Sequence, residues 1–186
     1  MRAAPPARGT RRHSNGHSST DHDICRGGTT SDNLCIVSSV STRAIIASSS
    51  PDGTWKGVWN DSSSEPQQLG RVLIRRVSAL KGDLGGFVER YIEGCPEGWV
   101  ALEKAERCAD PIGFLGGKFD GLVASCDPAV NPLCFDAQYL YLLHPPKRRL
   151  LVLKIENRPM RPFGMVTFDP AGKAKPAKLP AVEPED

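Results

Sequence analysis

Asp61 and Glu65 stand four residues apart where a strand-like run gives way to a helix-like one. Two carboxylates held at fixed separation with divergent pKa values can do general acid–base work. The pair also has a structural use. Asp61 ends the run, and Glu65 places a negative charge at a helix N-terminus, so capping is the stronger assignment. Cys95, Cys108, Cys126 and Cys134 form the next set. With His144 they offer the ligand types of a tetrahedral zinc site. Structural zinc sites, however, pair their cysteines two to four residues apart, and here twelve, seventeen and seven residues intervene. Free thiols in a core fit that spacing better, with a Cys126–Cys134 link as a further option. A thiol nucleophile needs a base beside it, and His144 sits just before two prolines in a turn. Two basic groups complete the inventory: Arg71, Arg75 and Arg76, and Lys147-Arg148-Arg149. Facing one way they would contact an anion or nucleic acid. A solvated helix face and a charged turn explain them as well, and no aromatic residues interleave to stack bases. Neither GxSxG nor GxxxxGK[ST] is present, and no cofactor is expected.

The elements that would position these groups are legible in part. Arg43–Ala47 carries Ile45 and Ile46, and Ser50-Pro51-Asp52-Gly53 has turn chemistry. Thr54–Trp59 then returns as a strand with Trp55, Gly57 and Trp59 on one face and Lys56 and Val58 on the other. Ser64 and Gln67 match a capping box. Leu69, Val72, Leu73, Val77 and Leu80 make a helical apolar stripe that ends near Lys81-Gly82. Asp83 opens a second helix through Leu84, Phe87, Val88, Tyr91 and Ile92, and Gly94 stops it. Pro96–Trp99 leads into a short third helix with Val100, Leu102 and Ala105. Residues 109–136, rich in Gly and Pro, predict a long irregular connection, often a functional one. Tyr139–Leu143 and Leu150–Ile155 form a second, nearly apolar hairpin at the sheet centre, and Phe163–Phe168 a fifth strand. The order ββ-αα(α)-βββ predicts an α+β domain over residues 41–169. Its sheet is expected to have about five strands, mostly antiparallel, with helices on one face.

Residues 1–40 predict a disordered leader and 170–186 a flexible tail. His13, His17 and His22 lie in the leader beside Asp21 and Asp23, and Cys25 and Cys35 belong to the same polar tract. Val40-Ser41-Thr42-Arg43 resembles a start site with Val in place of Met, so translation is expected to begin at position 40. The formal net charge of +3 divides as +2 in the leader, +1 in 41–169 and zero in 170–186. The pI of 8.6 therefore reflects the leader more than the domain, unlike a nucleic-acid-binding module. No apolar run approaches the roughly 18 residues that span a bilayer, and none follows the basic N-terminus. A cytoplasmic protein with mostly reduced cysteines and no membrane partner is expected.

The residues also carry a resemblance. Ser41-Thr42-Arg43-Ala44-Ile45-Ile46, the Asp52-Gly53 turn, and the spacing of Gly57, Trp59, Pro66 and Gly70 resemble small actinobacterial and phage proteins of unknown function. Those begin Met-Ser-Thr-Arg and carry Gly-x-Tyr-x-His-x-Asp-Gly-Tyr-Pro-x-x-x-Gly. Cys95-Pro96-Glu97-Gly98-Trp99 is similar to their His-Pro-x-Gly-Trp segment, and the Tyr139–Leu153 hairpin to their terminal strands. The polar centre is not kept. Asp61, Ser63, Ser64 and Glu65 stand where the group has His, Asp, Gly and Tyr, Cys95 stands for a His, and His144 for an Asp.

Together these observations favour a small non-enzymatic binding protein with a macromolecular partner, protein first, in the phage or mobile-element setting the resemblance implies. One alternative is an enzyme or nucleotide-binding protein with a site between residues 60–65 and the 109–136 loop. Another is weak nucleic-acid binding through the two basic groups.

Overall fold

Strand β1 (Ala44–Ser49) has no solvated side. Ala44 and Ile46 are buried on one face, Ile45 and Ala47 on the other. Its neighbours explain this: β2 (Thr54–Asn60) pairs with it antiparallel, as the turn chemistry predicts, and β7 (Tyr139–His144) pairs with it parallel. The computed structural model describes residues 41–127, 129, 131–156 and 159–179. The leader with its histidines, Cys25, Cys35 and the Val40 start lies outside the described residues.

From β2 the chain enters a π-type turn (Pro66–Gly70), helix α1 (Arg71–Ala79) and helix α2 (Leu84–Val88), which runs on as a π-type turn over Glu89–Glu93. The expected stripes are the buried ones. Leu69, Val72, Leu73 and Val77 from the first segment and Leu84, Phe87, Tyr91 and Ile92 from the second pack over Ile46, Val58, Tyr141, Leu143 and Val152. Asp83 caps α2 by accepting from Gly86 N at 2.9 Å. The capping box does not form: Glu65 precedes the helical segment without a side-chain cap, and Ser64 turns inward instead. The expected third helix is replaced by a strand and a turn. β3 (Trp99–Ala101) and β4 (Glu106–Arg107) flank a single 3-10 turn at Leu102–Lys104.

The expected five-stranded, mostly antiparallel sheet is overturned. Ten strands among the described residues form one mixed sheet, with parallel contacts at β1–β7 and β2–β3; the class is α+β. Three of the five extra strands come from places that read as irregular. The 109–136 segment contains β5 (Leu115–Asp120) and β6 (Val123–Cys126), and the segment from 170 contains β10 (Ala174–Ala177). β8 (Arg149–Lys154) and β9 (Arg161–Phe168) complete the order.

The pairing closes on itself. β1 leads through β2 and β5 to β6, Ala124 of β6 bridges Met160 at the head of β9, and β9, β8 and β7 lead back to β1. Met160 N donates to Ala124 O at 2.9 Å across the closing point. The sheet is thus a small barrel. Its interior is filled by Ile45, Trp55, Leu140, Leu142, Leu151, Leu153 and their neighbours, as side chains fill barrels of this size. The helical segments cover its outer side over β1, β2, β7 and β8 and reach the end of β9 at Phe168.

Two glycines allow the tight wall. A Cβ on Gly57 would lie 2.7 Å from both Ala47 Cβ and Ile46 O, and one on Gly117 would lie 2.8 Å from Trp55 Nε1. Gly57→Ala is therefore expected to destabilise the fold by about 1–3 kcal/mol, read as a lowered urea midpoint. Gly164→Ala in β9, where a Cβ meets nothing within 4 Å, is expected to leave the midpoint within experimental error.

Candidate functional site

The 60–65 segment is a buried polar knot. Asn60 is fully buried. Its Nδ2 donates to Ser62 O at 2.6 Å and Ser64 Oγ at 2.8 Å, and its Oδ1 accepts from Leu102 N at 3.0 Å. Tyr141 OH donates to Ser64 O at 2.7 Å, and burial pushes that phenol above its ordinary range. Ser63 holds the left-handed conformation (φ 54°) at the apex. Leaving one of these buried groups unpaired costs about 1–3 kcal/mol, so the knot sets the path of the chain between β2 and α1.

The two candidate carboxylates flank this knot and are engaged with the strap that enters β1. Asp61 pairs with Arg43 at 3.2 Å and accepts from Trp59 Nε1 at 3.4 Å, while Glu65 accepts from Thr42 Oγ1. Arg43 and Asp61 are both nearly half-exposed, so their pairing contributes roughly 0–1 kcal/mol.

The cysteines do not converge as a set. Cys126 and Cys134 are joined in a disulfide, which corrects the expectation of reduced thiols for this pair. It ties the end of β6 to the 3-10 turn Pro132–Phe135, and closing a loop this short stabilises by about 2–3 kcal/mol. Cys95 is free, fully buried, and points its thiol at Arg90 O. Burial raises its pKa, as it does that of free Cys108, where Asp61 and Glu97 add to the effect. Among the described residues no three His, Cys, Asp or Glu side chains group as metal ligands do.

The basic groups separate. Arg71 and Arg75 line a shallow recess of about 490 Å³ on α1, beside Glu103 at 3.6 Å from Arg75. Arg76 turns inward, donating to Leu102 O at 2.7 Å and Tyr91 OH at 3.2 Å. Arg148 binds the Phe168 and Asp169 carbonyls, and Arg149 binds Gly121 O at 3.0 Å on the inward side of the sheet. Three of the six side chains thus serve backbone carbonyls. His144, on that inward rim, contacts Ser49 Oγ through Nδ1. Burial first, then Arg149 and Lys147, lowers its pKa.

A further concavity draws most of its lining from the 109–136 segment. On the outward side of β2, β5 and β6, beyond the reach of the helices, lies a groove of about 750 Å³. Alternation turns Thr54, Lys56, Gly116, Lys118 and Ser125 to this side. Phe114 stands at its edge, 38% exposed, with Lys56 Nζ 3.7 Å from its ring centroid. Asp127 and Asn131 close one end, Asn131 Nδ2 donating to Gly116 O at 3.3 Å. The sequence signal was Gly116-Gly117, since glycine inside a strand marks close approach of another chain.

No helix among the described residues is long and apolar enough to cross a membrane.

Two outcomes follow from this geometry. His144 has its folded pKa below the ordinary 6.5. Its neutral form therefore contributes stability that is present above the unfolded pKa and lost as pH falls through the folded one. The urea midpoint should drop as pH falls below about 6.5, and His144→Asn should flatten that part of the profile. Alkylation of the denatured, unreduced chain should leave Cys126 and Cys134 unlabelled until reductant is added, as peptide mass mapping will show.

No family model, no curated protein and no solved structure matches the chain.

Proposed function

We propose that this chain is a binding protein for a macromolecular partner, and that the groove over β2, β5 and β6 receives an acidic, aromatic- or aliphatic-bearing segment of a protein. The observation that carries this reading is the half-open Phe114 ring with Lys56 over it, in a groove that Lys118 also lines above a glycine floor. An exposed aromatic supplies apolar contact area, and the two ammonium groups complement carboxylates. The floor is backbone of a central strand pairing, so the site is rigid before the partner arrives. The carboxylates of the 60–65 knot are held by Arg43 and Thr42 rather than facing this groove, which favours binding over the acid–base alternative. The likeness to phage and actinobacterial proteins supports a phage or mobile-element setting as part of the proposal. Against the expected cytoplasmic placement stands the Cys126–Cys134 disulfide, since disulfides persist in oxidising compartments.

The test is binding of fluorescent acidic peptides carrying one Phe or Leu, followed by anisotropy. Binding should weaken as salt rises, and Lys56→Glu with Lys118→Glu should abolish it, whereas Lys173→Glu, outside the groove lining, should not matter. Binding that survives the double reversal, or that is absent across the whole peptide set, overturns the proposal.

A further inference from the structure

Because β1 and β7 are parallel, their C-terminal ends emerge side by side at one mouth of the barrel. Ser49 closes β1 there, His144 closes β7, and Arg149 opens β8. Their register is continuous: Ser48 pairs with Leu143, and His144 pairs directly with Arg149. Two positions earlier or later on the same strands come Ala47, Leu142 and Leu151, all in the barrel interior. The three polar side chains therefore lie on the inward rim. Directly opposed residues on antiparallel strands have Cβ atoms roughly 4.5–5.5 Å apart, which places imidazole and guanidinium side by side. The Phe119 ring faces His144 with its centroid 6.3 Å away.

Two independent observations mark this rim. The first is the contact between Ser49 Oγ and His144 Nδ1, a hydroxyl with a base in hydrogen-bond reach. The second is Arg149 Nε, which is buried and lacks an acceptor, although Nη2 of the same side chain is satisfied by Gly121 O. A buried N–H without an acceptor is an uncommon feature that asks for an explanation. Mouths of β-barrels are frequent ligand sites.

We propose that Ser49, His144 and Arg149 form an acyl-transfer site for small carboxylic esters, independent of the outer groove. Ser49 Oγ attacks the ester carbonyl carbon and its proton passes to His144 Nδ1. Arg149 Nε–H donates to the carbonyl oxygen as it gains negative charge. The bond to the leaving alcohol breaks, and the alcohol leaves with the proton from His144. Water then attacks the acyl-Ser49 carbonyl, giving its proton to His144. The Ser49 oxygen departs, recovers that proton, and the carboxylic acid is released. Ser49 is 7% exposed, so the proposal restricts the substrate to a short acyl group. The charged groups facing the imidazole are Arg149 from β8 and Lys147 from the adjoining turn, while β1 and β5 present the uncharged Ser49 and Phe119. Burial first, and then those two charges, disfavour the protonated ring, so the imidazole is available to accept a proton.

The test is reaction of the full-length protein with a fluorophosphonate reagent, in which the Ser49 Oγ–P bond forms, fluoride leaves and His144 takes the proton. The adduct should map to Ser49 by peptide fragmentation. Its rate should rise with pH to a plateau reached by about pH 7, and His144→Asn should slow it about a hundredfold. Release of p-nitrophenolate from p-nitrophenyl acetate should exceed that from the hexanoate ester. An adduct absent from Ser49, or one that forms at an unchanged rate in His144→Asn, overturns the proposal. The mapping on the unmodified chain decides even if a variant fails to fold.

Discussion

Everything in this protein is arranged around a strand that has water on neither side. β1 pairs with β2 on one edge and β7 on the other, and its four apolar residues divide evenly between two cores. Burying both faces requires a cover on each. The helical segment between β2 and β3 supplies one. The other is supplied by the sheet itself, which curls until β6 meets the head of β9. At the closing point, Ala124 of β6 bridges Met160 where β6 would otherwise present an open edge.

The same closure decides where chemistry can lie. Inward side chains are apolar along most of the barrel, so polar groups survive only at the rims, and Ser49, His144 and Arg149 share one of them. Outward side chains are covered where helices pack and free where they do not, which leaves Lys56, Phe114 and Lys118 around an open groove. The Asn60–Ser64–Tyr141 knot sits at the hinge between these regions. It carries the chain from the barrel wall into the helical cover without leaving a buried polar atom of Asn60 unpaired.

Much of the fold was legible from local patterns. The two hairpins at 44–60 and 139–154, the apolar stripes of both helical segments and the Asp83 cap depend on neighbours within a few residues, and they form as expected. The failures share a cause. Gly116 and Gly117 have low strand propensity, yet they are in β5, because the Trp55 indole crosses Gly117 to reach Ser125 O at 3.1 Å. Ser64 has the right partner for a capping box, but Asn60 competes for its hydroxyl. Pro176 and its lysine neighbours resemble tail composition, yet they add an edge strand beside β9, where proline is tolerated.

Of the candidate site, the sequence named residues and the fold assigned their work. Asp61, Glu65, Arg76 and Arg148 were visible as charged groups, but only packing decided that they bind a strap and backbone carbonyls. Cys126 and Cys134 were visible as a pair among several, and only the curl of β6 toward residues 132–135 joined them. Ser49, 95 residues before His144, had no local pattern to mark it. By itself the chain determined its hairpins, helix faces and turns, since these follow from side-chain periodicity and backbone preferences within a few residues. Sheet closure, the parallel β1–β7 contact and every juxtaposition of reactive groups were decided by tertiary structure, because they depend on burying two opposite faces at once.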